Sequence, residues 1–417
     1  MPDKAFVSSH AASWTYAGVE REANRAARSL AALGVGKGDT VLTMLPSSVE
    51  YLALWFALGK LGAIWVPIND TYKGRLLLHQ LNDSEARVMI IDADLFERLI
   101  ELRPELTHLR HLVVAEITDD LLREMPGGWS ASSFSALFSG DDSAFEENVE
   151  PWDTMAVFYT SGTTGPSKGV VYTHAQALAT AAPMAQYMSA DEVFYFCVPF
   201  FHVALPHCVG AVLIPGGSFA IRGRFSVDNF WPDVRSFGAT ATMLLGAPAN
   251  FLLRRPASAD DRDHRLRKVL MVPLLKELDE FKRRFGLEVM TWYNMTEVST
   301  PIHSEGFSLL DHKSCGRPRT GIEARIVDAY DRPLPPGTPG ELVLRSQRPW
   351  EFSPGYWKDA QATVAAWRNL WFHTGDLFTQ DSKGNFYFLD RIKDAIRRRG
   401  ENISSYELES EINRHPA

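Results

Sequence analysis

Between Tyr159 and Gly169 the chain reads Tyr-Thr-Ser-Gly-Thr-Thr-Gly-Pro-Ser-Lys-Gly. An apolar run, Met155 to Phe158, precedes it, and Val170, Val171 and Tyr172 follow. The expected local structure is therefore strand, polar loop, strand. Hydroxyls on Thr160, Ser161, Thr163 and Thr164 supply donors, and Lys168 supplies a cation. Gly162, Gly165 and Gly169 let backbone approach a ligand closely. Successive N–H groups in such a loop form a concavity for anions. The chemistry this suits is the gripping of a triphosphate. A solvated hairpin loop is the plainer reading, but a hairpin needs no such density of donors. The Walker pattern G-x-x-x-x-G-K-[ST] fails: counted from Gly162, Ser167 takes the place of the second glycine, and Gly169 follows the lysine.

The stretch resembles the phosphate loop of the adenylate-forming superfamily, which holds acyl-CoA synthetases, firefly luciferase and the adenylation domains of peptide synthetases. Further blocks follow in that superfamily's order. Tyr293-Asn294-Met295-Thr296-Glu297 resembles its Tyr-Gly-x-Thr-Glu, with Asn294 where glycine is usual. Asn tolerates left-handed backbone, so the turn is expected to survive. By this resemblance Tyr293 stacks on the purine, Asn294 and Met295 flank the nucleotide, and Thr296 donates to the α-phosphate. Glu297 holds Mg²⁺ through a hard oxygen. A lone Thr-Glu would otherwise be a helix cap.

The segment Trp371-Phe372-His373-Thr374-Gly375-Asp376 implies ribose binding by Asp376, against a turn-capping role. Gly355-Tyr356 fits the block before it. Arg391 is implied beside the ribose and phosphates, Lys393 at the hinge, and Gly400 where the CoA pantetheine arm passes. The basic run Arg397–Arg399 is a solvated edge or an attractor for CoA phosphates.

His202, after the aromatic stretch Phe194–Phe201, is either a core histidine or the gate of the acyl pocket. Phe194, Phe196, Phe200 and Phe201 are core, or they line that pocket, where they would suit a cationic acid. Met271-Val272-Pro273-Leu274 stands where the superfamily carries a Gly-Ala-Pro-type segment against adenine, with Val272 and Pro273 in place of smaller residues. That variation, and Arg399-Gly400-Glu401-Asn402-Ile403, are most like the crotonobetaine/carnitine–CoA ligases.

The implied activity is ATP- and Mg²⁺-dependent conversion of a carboxylic acid to an acyl-adenylate, then to a CoA thioester. Two alternatives stay open: an adenylation domain loading a carrier protein, and a non-catalytic adenylate-binding protein. Superfamily members continue into a small domain whose late lysine assists adenylation. The chain is therefore expected to be cut short there, which leaves the activity of this length open.

The elements that must position these groups alternate. Helices are expected over Tyr16–Leu33, Ser47–Leu61 (capped through Ser47 and Glu50) and Leu275–Phe285. Apolar strands are expected at Thr40–Leu45, Ala63–Pro67, Val88–Asp92, His111–Ala115, Thr240–Leu245, Lys268–Val272 and Leu287–Tyr293. Such alternation argues for parallel sheets covered by helices. Glu124–Asp153, rich in Gly, Ser and acidic residues, reads as a surface linker. The fold class is α/β: a large domain, 1–390, of two helix-flanked β-sheets plus a distorted β-barrel subdomain at about 315–390. A stub of the small C-terminal α/β domain, 391–417, follows.

Composition narrows the alternatives. With 417 residues, 45% of them apolar, the chain can bury a large core. A net charge of −8 without a long basic run argues against nucleic acid as a partner. Cys197, Cys208 and Cys315 have no metal or disulfide-framework spacing and read as reduced thiols in the cytoplasm. No signal core opens the chain, and no run reaches the roughly 20 apolar residues of a membrane span. Oligomeric state is open, with a homodimer as one option.

Overall fold

The computed structural model describes residues 1–417 except 126, 161–165, 308, 310, 392–395, 399–400 and 404–417. Among them lie two seven-stranded sheets. One runs, in spatial order, Ser130–Ser133, His111–Ala115, Val88–Asp92, Thr40–Met44, Ile64–Pro67, Thr154–Thr160 and Lys168–Thr173. The other runs Glu288–Met290, Lys268–Val272, Ala241–Leu245, Val193–Phe196, Ser218–Ile221, Ala5–Ser8 and Ser13–Thr15. Each is parallel except for one antiparallel pair at its edge.

Parallel strands are buried on both faces, and side chains alternate between them. Phe194 and Phe196 point into one cluster, Tyr195 and Cys197 into another. Ala156 and Phe158 likewise part from Val157. The shared central cluster joins the inner faces of both sheets to helices Tyr16–Ala32, Val49–Leu61, His174–Ala185 and Ala204–Leu213. Helices Phe230–Ser236, Gly246–Leu253 and Leu278–Phe285 cover one outer face; Gly74–Asp83 and Phe96–Leu102 cover the other.

Beyond these layers stand an antiparallel three-stranded sheet (Trp292–Met295, Ser299–His303, Arg317–Pro318) and a four-stranded one (Ile322–Val327, Gly340–Ser346, Phe372–Gln380, Phe386–Arg391). They share a core in which Tyr293 meets Phe372, Phe378 and Phe386. This is the β-rich part of the α/β fold expected from the sequence. Among the described residues no helix is long and apolar enough to cross a membrane.

Several local expectations change. The cap of helix Val49–Leu61 is Ser48, whose side chain accepts from Tyr51 N–H; Ser47 Oγ instead accepts from Phe200 N–H at 3.2 Å. The expected strand Leu287–Tyr293 breaks at Thr291 into two strands of different sheets. Segment Glu124–Asp153 is not merely a solvated linker. Ser130–Ser133 forms an edge strand, and the acidic residues pair with the central helices: Asp142 with Arg25 at 2.8 Å, Asp141 with Arg28 at 3.3 Å, Glu147 with Lys60 at 2.6 Å.

Candidate active site

Open α/β sheets bind ligands at the carboxyl ends of their strands. Here those ends meet. Pro67 and Thr160 close strands of one sheet, Leu245 and Val272 close strands of the other, and all four line a cavity of about 970 Å³. Lys168, His202, Asn294, Met295, Thr296, Glu297, Asp376 and Arg391 line it as well. Residues separated by more than half the chain are thus brought to one space.

Ser161, Gly162, Thr163, Thr164 and Gly165, expected to form the phosphate loop, lie outside the described residues, as do Lys393 and Gly400. The stem of the loop is described, and it is held from two sides. On one, Tyr159 O–H donates to Asp83 Oδ2 at 2.7 Å, and the His79 ring donates to the Ser167 carbonyl at 2.8 Å. On the other, Trp357 N–H donates to the Gly169 carbonyl at 2.6 Å. A Cβ at Gly169 would fall 2.6 Å from Val157 Cγ1 and 3.0 Å from Trp357 Cβ, so only glycine allows this approach. Lys168 Nζ sits 5.2 Å from the centre of the Tyr356 ring.

Glu297 is 8% exposed, and its Oε1 accepts from Tyr356 O–H at 2.9 Å. Burial pushes its carboxyl above the usual carboxylate range; the Tyr356 hydroxyl and the Arg391 charge work against that rise. The Thr296 carbonyl accepts from Gln176 Nε2 at 2.7 Å, which ties this turn to helix His174–Ala185. Asn294 is not left-handed. It lies in the extended strand Trp292–Met295, and the positive φ falls on Ser299 instead (62°). Asn294 Nδ2 donates to the Ser299 carbonyl at 2.7 Å and so closes the turn with its side chain.

Asp376 is 2% exposed. Its Oδ2 accepts from Tyr293 O–H at 2.7 Å, and its Oδ1 lies 3.3 Å from Arg391 Nε on the neighbouring strand. The Thr374 hydroxyl accepts from Asp376 N–H at 3.1 Å, and Glu341 accepts from Gly375 N–H and the His373 ring, both at 3.0 Å. Tyr293 does not line the cavity: its ring meets Phe378 edge-on at 4.8 Å in the core shared by the two antiparallel sheets. Trp292, its neighbour, does line it.

A family model described as AMP-binding enzyme matches residues 1–357. The chain belongs to the AMP-binding enzyme family. It is an adenylate-forming enzyme of the acyl-CoA synthetase type, a class that uses ATP and CoA. It is 33% identical over 421 residues to a crotonobetaine/carnitine–CoA ligase of Salmonella agona, covering 97% of this chain and 79% of the relative. The ligase of the same name from Shigella dysenteriae is 34% identical with the same coverage. ATP-bound MatB from Rhodopseudomonas palustris superposes with a TM-score of 0.81 at 26% identity, over 100% of this chain and 81% of that one.

Of the aromatic run, Phe194, Phe196 and Phe200 are core, and Phe201 alone of the four lines the cavity of this AMP-binding enzyme. His202 lines it too, its Nδ1 accepting from Ala204 N–H at 3.0 Å. Val272 and Pro273 line it against Gly246, where a Cβ would come 3.0 Å from the Pro273 carbonyl oxygen. Sequence reasoning missed His207, Glu341 and the Tyr356 link to Glu297. For His207 a signal existed: it is the one imidazole in the otherwise apolar helix Ala204–Leu213.

Proposed function

We propose that the cavity activates a carboxylic acid in two steps, with roles for the residues named above. The observation that supports this most is the convergence of Lys168, Thr296–Glu297 and the Asp376–Arg391 pair on one space at the strand ends. Asp376 accepts from the ribose hydroxyls, and Arg391 stands beside ribose and phosphates. Lys168 neutralises phosphate charge together with Thr160 and the loop Ser161–Gly165, and Thr296 donates to the α-phosphate. Tyr293 acts from behind, fixing the carboxylate of Asp376 rather than stacking on the base.

A carboxylate is a poor electrophile because attack pushes charge onto an already anionic group. In the first step its oxygen attacks the α-phosphorus, and the bond to pyrophosphate breaks. In the second the CoA sulfur, having lost its proton, attacks the acyl carbon, and AMP leaves with the bonding pair. The protein supplies positioning and electrostatics. Glu297 fits the requirement for a magnesium ligand: Mg²⁺ is commonly held by one or two carboxylates with substrate phosphates rather than by a protein cage. Among the described residues no cluster of three or more His, Cys, Asp or Glu forms such a cage. When bound, the ion supplies charge neutralisation on the phosphates.

Lys393 and Gly400 keep their proposed places at the hinge and beside the CoA arm, with the large domain ending near 390. A cytoplasmic setting belongs to the same reading. The acid is proposed to be short and polar, in line with the crotonobetaine/carnitine–CoA ligase relatives. A pyrophosphate-release screen over short, branched, aromatic and trimethylammonium acids, with CoA and a carrier-protein thiol as alternative acceptors, tests this. Acid-dependent pyrophosphate and CoA-dependent AMP release are expected. Absence of both across the panel would leave an adenylate-binding protein without ligase activity.

A further inference from the structure

Helix Ala204–Leu213 carries His207 among Ala, Leu, Pro, Cys, Val and Gly. The imidazole is 2% exposed, yet its Nε2 has no hydrogen-bond partner among the described residues. It lines the cavity beside Ala204, Met243 and Trp292, meeting the Trp292 ring edge-on at 6.0 Å. Apart from His202 these neighbours are apolar, and the Lys168, Glu297 and Asp376 groups of the same cavity are engaged with partners of their own. A core histidine normally satisfies its ring nitrogens, since an unmet buried donor or acceptor destabilises the fold. An unmet one in a cavity wall is explained by a ligand atom that meets it.

Burial, with some help from His202, holds the His207 pKa well below the ordinary histidine value, so the ring is neutral. A neutral imidazole offers one N–H and one lone pair. It can bond a hydroxyl in either direction, but it brings no charge to balance a second carboxylate.

We propose that His207 is a specificity-determining residue that selects acids bearing a neutral hydrogen-bonding substituent, such as a hydroxyl, on the acyl chain. The proposal rests on the acid-activating reading above and names its substrate class. A plain alkyl acid leaves Nε2 unmet and is disfavoured. A hydroxy acid of equal length satisfies it.

The test uses matched acyl-sulfamoyl adenosines, unreactive mimics of the adenylate: an alkyl compound and a series with one hydroxyl at successive chain carbons. Calorimetry is run on the wild-type chain, His207→Leu and His207→Gln. Wild type is expected to bind the best hydroxylated mimic about tenfold or more tightly than the alkyl one. His207→Leu should lose that preference while keeping its affinity for the alkyl mimic, and His207→Gln should retain part of it. If both mimic types bind but wild type shows no preference, or His207→Leu keeps it, the role of His207 is overturned and the acid-activating reading stands. If no mimic binds wild type at all, that reading falls and takes this one with it. Should His207→Leu not fold, the preference in wild type and its reduction in His207→Gln decide the matter.

Discussion

The two ends of the cavity are built differently. At the proposed nucleotide end the ionisable groups are held by protein partners: Asp376 by Tyr293 and Arg391, Glu297 by Tyr356, and Lys168 against the Tyr356 ring. At the proposed acyl end His207 stands among apolar neighbours and His202, with an unmet nitrogen. Groups that must act the same way on every turnover are fixed in place by their neighbours, because misplacement of a reacting group by an ångström is costly. Groups that choose among acids need a surface to be completed by the acid itself, because discrimination is strongest where a missing substrate contact leaves a buried polar group unpaired.

If this contrast is right, the largest losses come from the nucleotide end. Asp376→Ala removes the proposed ribose acceptor and leaves Arg391 and Tyr293 without their shared carboxylate. The kcat/KM for ATP should fall about a hundredfold, read by pyrophosphate release. A fall of less than about tenfold would take Asp376 out of nucleotide binding. Lys168→Ala removes one cation from the phosphate end, and the dissociation constant for MgATP should rise about tenfold by calorimetry. An unchanged constant would show that Lys168 serves only the strand it stands in.

The sheets were legible because buried parallel strands announce themselves as apolar runs; Val88–Asp92, His111–Ala115 and Lys268–Val272 stand where those runs predict. The edge strand Ser130–Ser133 was not, since an edge needs ladder hydrogen bonds more than an apolar face, and Ser-Ala-Ser-Ser carries no such pattern. Nor could sequence show that Asp141, Asp142 and Glu147 face Arg28, Arg25 and Lys60, each pair lying some way apart along the chain. Within the site, motif order pointed to Thr296, Glu297, Asp376 and Arg391 as a set. It said nothing of Glu341 or His207, whose contribution depends on which strand end or helix face they share with the motif residues.

The remaining predictions probe each end gently. Met243 lines the cavity close to the His207 helix, its sulfur 3.8 Å from that of Cys208. Met243→Ala lengthens the apolar end and should shift preference toward longer acids by about tenfold. The KM for ATP should stay within about twofold, since a methionine at the acyl end takes no part in nucleotide binding. A matching change in that constant would show the two ends to be one unit.

Tyr356→Phe is the finer cut, because it keeps the ring beneath Lys168 and removes only the hydroxyl that donates to Glu297. Burial already raises the Glu297 pKa, and that hydroxyl bonds the ionised form and holds the rise in check. Without it the pKa climbs further. The carboxylate is the form proposed to hold the cation, so activity is lost as pH falls through this pKa. The acid limb of kcat/KM against pH should therefore begin at higher pH in the variant. The loss should be about threefold near neutrality and should disappear in alkaline buffer. Coincident profiles would mean that the hydroxyl does not tune Glu297. An equal loss at every pH would mean that it positions Glu297 without altering its charge.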